Sequence, residues 1–233
     1  MTEPFRAPVP YVPLPARVGV LLSGRGSNFE ALAEACRLGE VPARIVVVAA
    51  DRPSAPGLRK AEQRSIPAHG LDPAALGSKA ALEARILDLL SESSVDIICL
   101  AGYMRILSPG FVSRYPLRIL NIHPSLLPAF PGLDPQAQAL RYGVRVSGAT
   151  VHFVESGIDT GPIVAQEAVP VGPGDTVEVL SDRILAVEHV LYPSALRAVL
   201  EGGWTLSGRA VIRKNPTFEG LSTPSPSPIL KQL

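Results

Sequence analysis

Residues 18–28 read Val-Gly-Val-Leu-Leu-Ser-Gly-Arg-Gly-Ser-Asn. The run Val18–Leu22 is continuously apolar, the pattern of a strand covered on both faces, and such strands belong to parallel sheets flanked by helices. The turn at 23–28 then opens a helical pattern through Phe29, Leu32, Ala33 and Cys36 that stops near Gly39. Buried strand, glycine turn and amphipathic helix make one α/β unit, and the chain repeats the alternation. Residues 45–50, 66–71, 95–101 and 118–123 read as strands, while 55–64 and 79–91 read as helices, the second with Leu82, Ile86, Leu89 and Leu90 on one face. Strands alternating with helices predict right-handed crossovers and a doubly wound, mostly parallel sheet. Further on, a short helix is expected near 136–142, a C-terminal antiparallel strand pair at 147–154 and 162–171, and a long helix over about 176–200. Residues 1–16, with prolines at 4, 8, 10, 13 and 15, read as an extended, loosely held leader; 17–215 as a single domain; and 216–233 as a low-complexity, disordered tail.

In open α/β sheets ligands bind beyond the carboxyl ends of the strands. That rule gathers the turn at 23–28, the segment 102–107 and the strand end at 121–123 on one rim. Three readings of the turn compete. Ser27 or Asn28 could simply cap the helix. A dinucleotide site would want a third glycine where Phe29 stands, with Asp51 as the feature in its favour. Glycines that let backbone amides approach an anion at a helix start suit a small phosphate held by Gly26, Ser27 and Asn28.

The stretch 120–132, LNIHPSLLPAFPG, carries the chemistry. Prolines 124, 128 and 131 exclude both helix and central strand, leaving a stiff loop. Asn121 and His123, two residues apart at a strand end, point to the same side. Another shaped turn, 155–162, holds Asp159. If Asp159 meets His123, its charge favours the imidazolium and raises that pKa. His69 and His152 read as structural, His152 facing the sheet or the surface from its strand.

The chain has 233 residues, 46% hydrophobic and 18% charged, with a net charge of +1. That balance offers no electrostatic reason for nucleic acid or an acidic membrane as partner, and no stretch is apolar for long enough to span a bilayer. The four histidines and two cysteines lack metal-ligand spacing, so no metal site is expected, and Cys36 and Cys99 read as reduced, buried thiols. With no signal-peptide pattern, the expected location is the cytoplasm.

The motifs SGRGSN, LAGYMRILSP, NIHPSLLPAFPG, ATVHFV and DTGPIVAQ, in this order and spacing between about residues 18 and 193, resemble those of the glycinamide ribonucleotide formyltransferases. The resemblance implies a Rossmann-like formyltransferase fold and transfer of a formyl group from 10-formyltetrahydrofolate, a cosubstrate, to the amine of glycinamide ribonucleotide through a tetrahedral intermediate. It assigns Asn121, His123 and Asp159 to catalysis, Gly26, Ser27 and Asn28 to the nucleotide phosphate, and Glu188 to a nucleotide contact. Folate contacts would come from Lys79, Met104, Arg105, Ile106, Leu107 and Asn121, with Glu155, Ser156, Gly157, Ile158 and Asp159 closing over the pterin. Lys79 departs from an arginine of well-known relatives, keeping the charge but not the bidentate fork. Asp134, Pro135 and Gln136 replace a histidine-bearing segment. The state expected is a monomer or homodimer with small-molecule partners. Rival readings are a formyltetrahydrofolate hydrolase, which should carry an N-terminal regulatory domain, and methionyl-tRNA formyltransferase, which should carry a C-terminal RNA-binding domain. A dinucleotide-dependent reductase or a non-catalytic nucleotide-binding module on the same sheet is more remote.

Overall fold

A computed structural model describes residues 6–8 and 10–213. Strand β2, Ala16–Leu22, lies in the interior of the parallel part of the sheet, between β5 and β3, and both its faces are apolar. Val18, Val20 and Leu22 pack on one side with Phe29 and Leu32 of α1 (Ser27–Arg37), Leu58 and Ala61 of α2 (Pro56–Gln63), and the long helix α7 (Val177–Glu201). Leu21 faces the opposite side with Leu82, Ile86, Leu89 and Leu90 of α4 (Lys79–Glu92) and Phe111 of α5 (Pro109–Val112). The period-two alternation of a strand divides the two cores. Gly19 lies where α4 presses closest: a Cβ there would stand 2.6 Å from Leu90 Cδ2.

On either side of β2 run β3 (Ala43–Ala50) and β5 (Ile97–Leu100), both parallel to it; β4 (Ala68–Gly70) extends the sheet beyond β3, and β6 (Ile119–His123) beyond β5. The chain winds outward through β3 and β4, then crosses back to β5 on the other side of β2. In open α/β sheets the crevice at such a reversal, beyond the carboxyl ends of the strands, is where ligands bind; here that switch point lies between β2 and β5. The expected short helix is α6 (Pro135–Tyr142), and the expected antiparallel pair is present as β7 (Val146–Phe153) and β8 (Ile163–Pro170), with β7 antiparallel also to β6. Four short elements lie outside the strong periodic patterns: α3 (Pro73–Leu76), α5, and a hairpin of β9 (Trp204–Ser207) and β10 (Ala210–Arg213).

The leader departs from expectation. Strand β1, Arg6–Pro8, pairs antiparallel with β9 at the end of the ten-stranded sheet, and Val12 is buried in the main core. An isolated proline-rich stretch cannot show such pairing, because its partner strand lies two hundred residues away. The proposed tail, 216–233, lies outside the described residues.

Helix α7 closes the main core and threads its polar groups with care. The Tyr192 hydroxyl, fully buried, reaches the carbonyl oxygens of Leu100 and Leu120 at 3.1 and 3.0 Å, tying the helix to the ends of β5 and β6. Cys99 is buried and Cys36 half-buried, both free, and burial pushes their thiols up to about 12 and about 11. They are inert packing residues.

Candidate active site

The turn after β2 binds its own backbone first. Gly26 is the N-cap of α1 in the left-handed region, φ 72°, and no side chain caps the helix. Ser27 is already helical, so the capping role considered for Ser27 or Asn28 is not adopted; the helix starts one residue too early for it. The first-turn amides therefore have no side-chain acceptor. Glycine is required at 26 for two reasons: the positive φ, and the start of α2, whose Gly57 Cα would lie 2.8 Å from a Cβ at this position. Gly57 N–H donates to the Gly24 carbonyl at 3.1 Å, so α2 buttresses the turn from behind.

Asn28 points into the protein. Its Nδ2 donates to Glu188 Oε2 at 2.7 Å, across the α1–α7 contact, while its Oδ1 is buried with no partner among the described residues. Burial raises the Glu188 carboxyl above its ordinary value, and the Asn28 hydrogen bond opposes the rise only in part. Thus the turn and the late helix, 160 residues apart in sequence, form one polar corner. Glu188→Gln keeps an acceptor for Asn28 and removes the buried charge. Because the folded pKa lies above the unfolded one, the stabilisation from Glu188 is present below the ordinary glutamate value and is lost as pH rises through the folded one. The substitution is accordingly expected to narrow the fall in Tm between about pH 5 and about pH 8, read by thermal unfolding at both values.

At the end of β6, Asn121 and His123 face the same side, as a strand requires. Asp159 comes from the loop between β7 and β8, in the left-handed region at φ 52°, a conformation that aspartate and asparagine tolerate better than most residues. Its Oδ2 accepts the Gly132 N–H at 2.8 Å and lies 3.4 Å from His123 Nδ1. The loop is held close behind it: a Cβ on Gly161 would lie 1.8 Å from the Phe153 carbonyl oxygen. On its other edge the His123 ring meets the Phe130 carbonyl, with Nε2 at 2.9 Å. A carbonyl only accepts, so Nε2 carries hydrogen and Nδ1, opposite Asp159, is the atom free to gain or lose a proton.

The electrostatic balance differs from the sequence expectation. Burial lowers the His123 pKa below the ordinary histidine value; the Phe130 hydrogen bond and the Asp159 charge push upward and do not overcome it. His123 is 5% exposed, and the cost of burying a charged ring exceeds the help of one carboxylate at 3.4 Å. The imidazole is therefore neutral near pH 7, not an imidazolium. Burial works to raise the Asp159 carboxyl as well, but the neighbouring imidazoles and the Gly132 N–H outweigh it and hold the pKa below the ordinary aspartate value.

His152 is a second correction. Expected to face the sheet or the surface, it is 2% exposed and lies against the candidate site. Its Nδ1 meets the Phe153 carbonyl at 2.8 Å and so carries hydrogen, leaving Nε2 to accept from Asn121 Nδ2 at 3.1 Å. The same Nε2 lies 3.6 Å from Asp159 Oδ1. This contact orients the Asn121 amide, whose second N–H has no acceptor among the described residues. Register is the cause: β7 runs antiparallel to β6 with His152 directly opposite Asn121. The alternation in VHFV placed His152 on a strand, but only the pairing partner decides what it meets.

Residues 104–107 follow β5 at the crevice. Met104 and Ile106 are more than half exposed, Arg105 is partly exposed, and Leu107 is buried in the second core. Asp51, weighed above as a dinucleotide feature, instead accepts from Arg105 Nε at 2.6 Å. Lys79 begins α4, with Nζ 3.7 Å from Glu83 Oε1, one turn on. Glu155, Ser156, Gly157 and Ile158 lie exposed on the loop that carries Asp159. Among the described residues no group of three or more histidine, cysteine, aspartate or glutamate side chains could hold a metal ion, and no helix is long and apolar enough to cross a membrane.

The rim thus carries uncapped first-turn amides at one strand end and an amide, an imidazole and a carboxylate at another. The formyl transferase family model matches residues 16–196. The chain is 42% identical over 184 residues to phosphoribosylglycinamide formyltransferase of Bacillus subtilis, covering 79% of this chain and 94% of that protein. It is 48% identical over 190 residues to the trifunctional purine biosynthetic protein adenosine-3 of Bos taurus; that match covers 82% of this chain but 19% of the longer protein, so the chain spans less than a fifth of that relative's length. The crystal structure of glycinamide ribonucleotide transformylase 1 from Symbiobacterium toebii superposes with a TM-score of 0.84 at 50% identity, covering 86% of this chain and 94% of that one. The chain belongs to the formyl transferase family, on the phosphoribosylglycinamide formyltransferase branch.

Proposed function

We propose that this protein transfers a formyl group from 10-formyltetrahydrofolate to the amine of glycinamide ribonucleotide. The observation that carries this reading is the close grouping of Asn121, His123 and Asp159 around His152, on the same rim as the uncapped amides of Gly26–Asn28. A phosphate held by the first turn of α1 anchors the nucleotide, and Glu188, bonded to Asn28 beside that turn, stands at the nucleotide's side of the rim. Met104, Ile106 and Leu107 provide an apolar wall for the folate, and residues 155–159 cover the pterin. Arg105 supplies positive charge at the folate's acidic end.

The free amine attacks the formyl carbon, and negative charge develops on the formyl oxygen as the new C–N bond forms. The uncommitted N–H of Asn121 donates to that oxygen from a fixed position, since His152 holds the amide. His123 begins neutral, so its Nδ1 can take the proton released by the amine; the resulting imidazolium sits between the Phe130 carbonyl and the Asp159 carboxylate, both acceptors suited to it. The long 3.4 Å contact leaves Nδ1 free to turn toward substrate or an intervening water. That proton then passes to N10 of the folate as the original C–N bond breaks, restoring neutral His123. Catalysis thus needs a hydrogen-bond donor, a proton carrier and a carboxylate, all supplied by the chain.

The direct test mixes the protein with 10-formyltetrahydrofolate and follows folate release with and without glycinamide ribonucleotide. Release that depends on the nucleotide is expected; equal release without it would identify a hydrolase, and binding without turnover a non-catalytic module.

A further inference from the structure

Three elements hold the segment that follows β5. The Met104 N–H donates to Ser23 Oγ at 2.9 Å, the Ser108 N–H to Glu83 Oε1 at 2.8 Å, and Arg105 Nε to Asp51 Oδ2 at 2.6 Å. The first two bonds fix backbone. The third fixes a side chain, and it does so unusually: Asp51 is 4% exposed at the carboxyl end of β3, while the Arg105 side chain is 43% exposed. A buried carboxylate requires pairing to be tolerated, and among the described residues Arg105 is its whole complement, for Asp51 Oδ1 is buried without a partner.

Arg105 is bound through one nitrogen only. Its two terminal nitrogens make no hydrogen bond among the described residues, so the guanidinium fork is held from behind and open in front. A fixed, open fork is matched by a carboxylate, which it can grip with two parallel N–H bonds. An unrestrained arginine on a surface would lose rotamer freedom on binding the same group.

We propose that Asp51 is a positioning residue for the folate, holding Arg105 so that its free nitrogens receive a carboxylate of the folate's glutamyl end. This rests on the reading that residues 104–107 line the folate site. Asp51 touches neither substrate in this arrangement. Its effect is confined to the acidic tail, which separates it from a residue that merely keeps β3 and the neighbouring segment folded.

The experiment measures kcat and KM for 10-formyltetrahydrofolate and for its analogue with the glutamate replaced by methylamine, in the wild type and in Asp51→Asn, Arg105→Ala and the double variant. Asparagine keeps the size and one acceptor but removes the carboxylate charge that pairs with the guanidinium, so Asp51→Asn tests the proposal even where a smaller residue would unfold the protein. Expected is a rise in KM of about tenfold for the natural folate in Asp51→Asn, a change under about twofold for the methylamide, and little further loss when Asp51→Asn is added to Arg105→Ala. Equal losses for the two cofactors, a full Asp51 effect persisting without Arg105, or no Asp51 effect beside a clear Arg105 effect would each overturn the proposal alone. An unchanged folate KM in Arg105→Ala would instead remove the placement of the folate tail, and the proposal with it.

Discussion

His123→Ala is expected to lower kcat by on the order of a hundred- to a thousandfold while substrate binding changes little. The loss follows from geometry: Nδ1 is the one ring atom that can exchange a proton, because Nε2 is committed to the Phe130 carbonyl. Truncation also leaves that carbonyl with only a long 3.4 Å contact from Ser125 Oγ. Some stability goes with it, about 1–3 kcal/mol for an unpaired buried acceptor. Measuring Tm beside kcat separates the two effects; a protein still folded at the assay temperature with near-normal turnover would remove His123 from the mechanism. The pH profile supplies a second check. Burial places the His123 pKa below the ordinary histidine value, so the neutral, proton-accepting form persists on the acid side of that value. The wild-type kcat/KM is expected to hold until the pH falls below about 6.5, and then to decline as Nδ1 takes up a proton before reaction.

Asp159→Asn is the second large effect, a loss in kcat of about a hundredfold or more. Asparagine is the informative substitution because the position has φ 52°, which it accepts as readily as aspartate, and because its side-chain oxygen can still receive the Gly132 N–H. What disappears is the charge. The Asp159 carboxylate favours the protonated ring, so without it the His123 pKa moves further down and the imidazolium that must form during transfer becomes more costly. The acid limb of kcat/KM should therefore shift to lower pH in Asp159→Asn, the opposite direction from the shift that exposing the ring would cause. A variant with wild-type turnover and an unmoved acid limb would show that Asp159 serves only its loop.

Much of this could be read from residue order. Unbroken apolar runs such as Val18–Leu22, followed by glycine turns and amphipathic helices, specify a parallel α/β sheet because burial on both faces leaves few other solutions. The prolines around His123 mark a rigid loop for the same local reason. Each of these signals lies within a dozen residues, the range over which backbone preference and side-chain period act. The pairing of distant segments does not. That β7 runs antiparallel to β6 puts His152 against Asn121, and nothing in VHFV reports its partner. Asp51 was the one feature in favour of a dinucleotide site until folding set Arg105 beside it, and the leader read as loosely held until β9 offered residues 6–8 an edge. The protonation of His123 is the clearest case. Charge in the sequence suggested an imidazolium, but desolvation depends on everything packed around the ring, and only the tertiary structure determines how much water is left.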